Sequence, residues 1–482
     1  MKNKTIYVLL ASVTLSVPAV PTMAHTSQSD LQATVVSTPE WNRLWTPANR
    51  AALKQALADR ARHGLDHHAF LPPDVDELPA DAATRVYTKA AQDYANALAN
   101  GMVDPSSLHD VYTIARPTAD RTETLGDALA QNRLAEWLDG LAPADPDYRA
   151  LSQAYLTANR NAYAAEPVIT LAESIHVGDV NPRVPEIVDQ LVSDGYLAAR
   201  PSTEPVDLYS PDIANAVEAL QRDYGIREDG IIGPNTLGVL TLGPGDRART
   251  LAVALERRRW LSRTPPATRI DVNTAAAELR YYHDGQLVDR RKVIVGEPDR
   301  ETPPLGSPIY RLVANPTWTV PKSIPVSRAT VRAKNMRRIN GYWVQPSGPD
   351  NALGLVKFDM KNNQAIYLHD TAAPELFDRS QRHLSHGCVR VSDALGFAAM
   401  LADQEGVGDT WAKAYASGDY EIIDLPREIP VRLLYHNAFL GDDGKVAFRT
   451  DPYGWNDAIG VELGFNKKMS HQAKAEAIDI GP

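Results

Sequence analysis

The spacing of apolar residues along this chain changes character once, near residue 268, and that change restricts it to a multidomain α+β architecture. Upstream, Leu53, Leu57 and Ala61, and again Leu134, Trp137 and Leu138, recur at helical spacing. Gly64 closes one helix and Asp104-Pro105 interrupts another, so the region is expected to be a packed set of short helices. Downstream, Arg269 to Asn273, Ala277 to Tyr282, and Gln286 to Val288 followed by Arg291 to Val295 are β-rich, with His283-Asp284-Gly285 placed as a hairpin turn. At about 100 to 200 residues per domain, 482 residues amount to about two to four domains.

The 60 acidic and 50 basic residues are spread without a basic tract, so the chain has no electrostatic footprint for nucleic acid. Lys2 and Lys4, the apolar run Ile6 to Val17 and the small-x-small ending Thr22-Met23-Ala24 predict a cleaved signal peptide over residues 1–24. The apolar run is shorter than the ~20 residues of a spanning helix. A periplasmic protein is therefore expected, with His25 to Pro39 disordered behind the signal. In an oxidising compartment structural cysteines come in pairs, yet Cys388 is alone. Its sulfur is either a reactive thiol or a small buried hydrophobe.

A helical domain over residues 41–171 holds no catalytic constellation. His67-His68 could be metal ligands, but adjacent side chains diverge and a solvated pair is the simpler reading. In a second unit, residues 172–245, Ser210-Pro211 reads as N-cap and first helical residue, Ala216, Leu220 and Tyr224 form a stripe, and Gly225 fits the C-cap. Asp229-Gly230 makes a tight turn and Gly233-Pro234 opens the next helix. This stretch resembles the peptidoglycan-binding type 1 module, a three-helix domain marked by Asp-Gly-x-x-Gly-Pro-x-Thr. The resemblance implies either wall binding or a structural spacer. A basic helix within residues 246–268 is read as a linker.

Cys388 lies in Ser385-His386-Gly387-Cys388-Val389-Arg390, downstream of Ile366-Tyr367-Leu368-His369-Asp370. A cysteine nucleophile needs a base, oxyanion donors and shelter from water. His369 is the candidate general base and later acid, on a segment that can neighbour the Cys388 strand. Gly387 permits close backbone approach, and the Gly387 and Cys388 amides are candidate oxyanion donors. Tyr367, two residues before His369, shares its face and either borders the acyl-donor pocket or packs in the core. Zinc held by His369, His383, His386 and Cys388 is the competing reading; the two-residue spacing of His386 and Cys388 across Gly387 does not match a paired-ligand hairpin, and neither metal nor cofactor is expected.

These motifs resemble the L,D-transpeptidase catalytic domain, the YkuD family, over about Arg269 to Asp424, in the domain assigned to residues 269–427. Val293 to Gly296 with Thr302-Pro303 is similar to the family's entry segment. The helical region, Asn315-Pro316-x-Trp318, Asn351 to Gly354, Ile429-Pro430-Val431 and Asp451-Pro452-Tyr453-Gly454 resemble the large periplasmic members of Gram-negative bacteria. The resemblance implies that a carbonyl orients the base, so that Asp370 acts through its backbone. It implies that His386 orients the thiol or packs the loop, with Ser385 in support, and that Arg390 fixes the loop, meets a substrate carboxylate, or forms a structural ion pair.

It further implies a mobile cap over residues 314–358, carrying Trp318 and Trp343 toward substrate and a set of cations from Lys322 to Arg338, unless that helix is simply solvated. The implied reaction joins Cys388 to the third residue of a peptidoglycan tetrapeptide stem as a thioester, releases D-alanine, and passes the acyl group to an amine of a neighbouring stem, as a third-to-third or other cross-link. Carbapenems would acylate the same thiol. An L,D-carboxypeptidase, or a wall-binding scaffold without turnover, are the alternatives. Stem peptides and glycan are the expected partners, with other cell-wall synthesis proteins beside them and no obligate oligomer implied. Residues 428–482 are read as an extension whose first part, Val431 to Tyr435, adds a strand to the catalytic domain.

Overall fold

The computed structural model describes residues 39–117, 122–162, 169–199, 205–322 and 324–465. The expected signal peptide, nearly all of the segment behind it and the tail from Asn466 to Pro482 lie outside those residues. Six helices open the described chain: α1 (Pro39–Leu44), α2 (Pro47–Ala58), α3 (Ala80–Asn100), α4 (Thr122–Ala130), α5 (Leu134–Asp139) and α6 (Pro146–Arg160). Caps set their starts. Thr46 accepts from the Asn49 amide and Asp145 from the Tyr148 amide, each ahead of a proline whose missing N–H costs nothing in the first turn. Trp45, Leu53, Tyr87, Tyr94, Leu151 and Tyr155 bury into one core, and the Trp45 indole donates to Thr88 Oγ1 at 2.8 Å.

The small unit that follows holds α7 (Val184–Ser193), α8 (Pro211–Tyr224) and α9 (Pro234–Leu240), packed through Ile187, Leu191, Val217, Leu220 and Val239. Its Asp-Gly motif has a mechanical explanation. Gln221 Oε1 accepts from the Asp229 and Gly230 amides at 3.0 and 2.9 Å, while its Nε2 donates to Thr236 Oγ1 at 2.9 Å. Gly225 ends α8 in the left-handed region, at φ +66°. Ser210 sits at the expected N-cap position, but its hydroxyl makes no cap bond and is buried without a partner.

Helix α10 (Pro244–Arg259), read from the sequence as a connector, is inserted into the first helical core through Ala248, Leu251, Ala252 and Leu255. Glu256 and Arg259, both fully buried, pair at 2.6 Å, and Glu256 also accepts from the Val103 amide at 2.8 Å and the Trp260 indole at 3.1 Å. A buried ion pair persists when its remaining hydrogen-bonding capacity is met in this way.

The β-rich part is one long sheet. Its strands are β1 (Arg269–Asn273), β2 (Glu278–His283), β3 (Gln286–Gly296), β4 (Leu305–Gly306), β5 (Ile309–Ala314), β9 (Val356–Met360), β10 (Leu368–His369), β11 (His383–Ser385), β12 (Val389–Val391), β13 (Glu421–Ile429) and β14 (Val431–Leu434). They run in the order β13-β5-β9-β10-β12-β3-β2-β1-β14-β4, with β11 on β3. The β2–β3 hairpin turns at Asp284 and Gly285, both left-handed at φ +48° and +81°, the twist that two-residue hairpin loops prefer. Between β5 and β9 a separate three-stranded sheet is inserted, β6 (Trp318–Thr319), β7 (Arg337–Ile339) and β8 (Tyr342–Gln345), with the short helix α11 (Arg328–Ala333). Helices α12 (Ala394–Gln404) and α13 (Gly408–Ser417) cover one sheet face through Phe397, Leu401 and Trp411.

Strand β14 pairs parallel with β1, so the chain beyond residue 428 does add a strand to this domain. It then forms a hairpin, β15 (Ala438–Leu440) with β16 (Val446–Phe448), and helix α14 (Asn456–Glu462), whose Ile459 packs into the first helical core. Arg257 of α10 reaches this extension, donating to Asn437 Oδ1 at 2.9 Å and Asn456 Oδ1 at 2.5 Å.

Candidate functional site

Strand β10 lies between β9 and β12, antiparallel to the first and parallel to the second, with Leu368 opposite Val389 and His369 opposite Arg390. One residue back along that register Tyr367 stands opposite Cys388, and the Val389 amide donates to the Tyr367 carbonyl at 3.1 Å. Alternation along the two strands puts Tyr367, His369, Cys388 and Arg390 on one face.

His369 is fully buried, and its Nδ1 lies 2.5 Å from the Asp370 carbonyl oxygen. A carbonyl only accepts, so Nδ1 carries the ring proton and Nε2 presents its lone pair. That Nε2 is buried with no hydrogen-bond partner. Burial, reinforced by the Arg390 charge, pushes the imidazole down to about 3. Cys388 moves the opposite way. Burial pushes its thiol up from the ordinary value, against hydrogen bonds from the Tyr367 amide and phenol and the more distant charges of Lys357 and Arg390. The resting pair is thus a neutral thiol and a neutral imidazole, with Sγ 3.7 Å from the Ala365 carbonyl oxygen.

The loop before the thiol is held from both sides. Ser385 Oγ donates to the Cys388 carbonyl at 2.6 Å and accepts from the Gly387 amide at 3.2 Å. The Gly387 amide, expected to face an oxyanion, is therefore engaged inside its own turn. The Cys388 amide has no partner among the described residues and is the better placed donor. Gly387 itself is left-handed at φ +112°, which only glycine adopts without strain, and its carbonyl accepts from Thr302 Oγ1 at 2.8 Å.

Thr302 Oγ1 in turn accepts from the Gly296 amide at 2.9 Å, and Tyr453 from the C-terminal extension donates its hydroxyl to the Gly296 carbonyl at 2.7 Å. The same hydroxyl accepts from the Thr302 amide at 3.4 Å. Tyr453 was part of a motif in the sequence, but nothing there connected it to the thiol loop, because the connection is made across the fold.

A cleft of about 750 Å³ opens on Cys388, Gly387, His386, Tyr367 and Trp318. His369 and Arg390 do not line it; Arg390, 1 % exposed, is buried beside the imidazole and acts on it through its charge. Trp343 does not line it either: it packs in the inserted sheet with Trp318, Val320 and Met336, under Arg338. Tyr367 touches that same cluster, so it both borders the cleft and joins the insert to β10. The cations of α11 sit on a helix with no buried residue. His383 is remote in role, its Nε2 against the Thr274 carbonyl at 2.9 Å. His67 packs on Phe465 and His68 on Phe70, and no cluster of metal-ligating side chains occurs among the described residues.

Sequence reading missed a charged set on the cleft floor. Arg311 and Lys357 both reach Asp359 at 2.6 Å, and Lys357 Nζ sits 4.2 Å from the centre of the Tyr367 ring. Charged residues alternating through the otherwise buried strand β9 were the available signal.

Residues 267–411 match the family model for the L,D-transpeptidase catalytic domain. Residues 38–154 match one described as a scaffold domain, and residues 180–240 one described as "Putative peptidoglycan binding domain". A Haemophilus influenzae protein named "Putative L,D-transpeptidase" is 31% identical over 222 residues, 40% of this chain and 45% of that protein. The chain thus matches less than half the length of this relative. Among solved structures, an L,D-transpeptidase from Xylanimonas cellulosilytica is 18% identical, covering 55% of this chain and 100% of that one at a TM-score of 0.19. One from Stackebrandtia nassauensis is 13% identical, covering 56% and 97% at 0.21; scores this low add nothing about the fold.

Proposed function

The chain carries an L,D-transpeptidase catalytic domain over residues 267–411, and from that premise we propose that it cross-links peptidoglycan stems through a thioester on Cys388. The observation that carries this reading is the pairing of β10 with β12, which brings a buried imidazole with an unpartnered Nε2 lone pair to the face that holds the sole thiol. His369 Nε2 takes the Cys388 proton as the sulfur attacks the carbonyl of the third residue of a tetrapeptide stem. The Cys388 amide supports the oxyanion. The amide bond to the terminal D-alanine breaks, and the imidazolium returns its proton to the leaving amine. An amine of a second stem then loses a proton to His369, attacks the thioester carbonyl and releases the thiol.

Asp370 holds the imidazole in the required tautomer through its carbonyl, and Ser385 braces the thiol loop. Trp318 and Tyr367 form the wall of the cleft that excludes water from the thioester. The match of residues 180–240 to a peptidoglycan-binding model supports the same polymer as substrate, and with it an extracytoplasmic site of action.

Incubation with purified disaccharide-tetrapeptide, followed by mass spectrometry, tests the reading. Stem dimers are expected, with fragmentation identifying the acceptor amine. Tripeptide alone would make the protein an L,D-carboxypeptidase, and unchanged substrate with retention on wall sacculi would make it a scaffold. Cys388→Ala should abolish dimer formation; a variant that still cross-links removes the thiol from the mechanism.

A further inference from the structure

A second concavity, an open groove of about 810 Å³, lies beside the first and shares one residue with it, Gln364. Neighbouring strand positions divide between the two. Arg311 and Asp359 line the cleft while Tyr310 and Met360 line the groove, so the two hollows lie on opposite faces of the β5–β9 pair. They meet around the turn Asn362 to Ala365. That turn is rigid: Asn362 Oδ1 accepts from the Gln364 and Ile366 amides at 3.0 and 3.1 Å, and its Nδ2 donates to the Ile366 carbonyl at 2.8 Å. Ala365 is left-handed at φ +56°, a conformation costly for alanine, and its carbonyl is the one that faces the Cys388 sulfur.

The outer wall of the groove comes from the helical domain. Thr113 Oγ1 donates to the Gly306 carbonyl at 3.1 Å and accepts from the Gly306 amide at 3.0 Å, fixing Val111 and Thr113 over the sheet edge. The groove is thus built between two units of the chain. Its lining also suits a sugar polymer: the Tyr310 ring, carrying the Arg311 and Lys361 cations 5.0 and 5.5 Å from its centre, and the exposed side chain of Asn363 offer an aromatic edge and hydrogen-bond donors.

We propose that this groove binds the polymerised glycan strand from which the donor stem branches, with Tyr310 and Asn363 as contacts; the proposal rests on the transpeptidase reading above. A stem whose third residue is attacked at Cys388 still carries three residues between that carbonyl and the sugar. Three residues span about 10 Å when extended. Gln364, on the groove's near edge, is one Cα step of about 3.8 Å beyond the alanine whose carbonyl faces the sulfur. A continuous strand also requires a shallow, open site, and the groove is the more open of the two hollows.

The experiment compares wild type with the double variant Tyr310→Ala, Asn363→Ala on two substrates bearing the same tetrapeptide: uncross-linked glycan strands and the isolated disaccharide-tetrapeptide. Loss of one aromatic contact and one hydrogen bond should lower kcat/KM on strands about 10-fold and leave the disaccharide within about 2-fold. An equal loss on both substrates, or no loss on strands, overturns the proposal. Cosedimentation with peptide-free glycan strands gives a readout independent of turnover. If wild type binds those strands about 10-fold tighter than the variant yet turns over neither substrate, the transpeptidase reading falls and the groove stands. If wild type turns over both and the affinities are equal, the groove falls alone.

Discussion

Burial sets the chemistry of Cys388 and His369 before any substrate arrives. With the thiol pushed up and the imidazole pushed down to about 3, no thiolate–imidazolium pair forms at neutral pH. Alkylation of the free enzyme by iodoacetamide should therefore be slow at pH 7 and accelerate through pH 9 without a plateau near neutrality, as followed by mass spectrometry; a plateau below pH 7 would show a preformed ion pair. The thiol was legible because it is the sole cysteine, and His369 because its spacing to Ser385-His386-Gly387-Cys388 matches a known pattern. Ala365 and Tyr453 were not legible. A left-handed alanine leaves no mark in a sequence, and Tyr453 lies far along the chain from the Gly296 and Thr302 groups it joins. Tyr453→Phe keeps the ring and removes the hydroxyl that bridges the Gly296 carbonyl and the Thr302 amide. It is expected to cost about 1 kcal/mol in stability. As the loop carrying Gly387 loosens, kcat should fall several-fold with KM nearly unchanged, in steady-state kinetics on disaccharide-tetrapeptide.

Periodicity and composition identified the long elements and missed the short ones that build the site. Strand β3 and the hairpin it forms with β2 could be read from β-rich composition and the Asp284-Gly285 turn, whereas β10 has only Leu368–His369 and β12 only Val389–Val391. Strands this short exist because neighbours pair with them on both sides. The linker reading of α10 rested on its basic composition, but charges such as Arg249, Glu256 and Arg259 are paired or buried within the fold. The inserted sheet is anchored where its chain returns. Asp370 Oδ2 accepts from the Leu355 amide at 2.9 Å, and Gly354, at φ +62°, has no room for a Cβ beside that carboxylate. Asp370 thereby serves two elements, the base through its carbonyl and the insert through its side chain. Asp370→Ala separates these roles. The imidazole keeps its acceptor, while the stranded Leu355 amide costs the return of the insert about 1–3 kcal/mol. Hydrogen exchange in residues 345–356 should quicken by about 10-fold or more with the fold otherwise protected, and unchanged exchange there would show that the anchor lies elsewhere.

Across the molecule, among the described residues, four buried histidines belong to different units yet are shifted in the same direction, and the half-buried His109 is likewise pushed down to about 4 by burial. His63 in the helical core and His369 in the sheet are each pushed down to about 3, His383 to about 4, and His436 in the C-terminal extension well below its ordinary value. Burial is the first cause in every case, with arginines adding to it, Arg259 beside His63 and Arg258, Arg257 and Arg432 around His436. In the unfolded chain each imidazole returns to about 6.5. Between about 6.5 and 4 the unfolded state therefore binds more protons than the folded one, and stability must fall as pH falls. Each group contributes up to about 1.4 kcal/mol per pH unit in that window. Asp370 and Asp451 are pushed up by burial and act with the opposite sign, taking up protons in the folded state first and so offsetting part of the histidine slope. The melting temperature should be nearly level above pH 7 and drop steeply below 6. Because the four groups reside in the helical core, the sheet and the extension, which α10 and its Arg257 contacts join, the units should lose stability over a common pH range. Calorimetry from pH 8 to 4.5 checks this, and a melting temperature independent of pH between 7 and 5 would mean that these imidazoles are hydrated or paired in the folded protein. His436→Gln supplies the internal control: removing one titrating group should flatten the slope by about one proton's worth, about 1.4 kcal/mol per pH unit, without moving the alkaline plateau by the same amount.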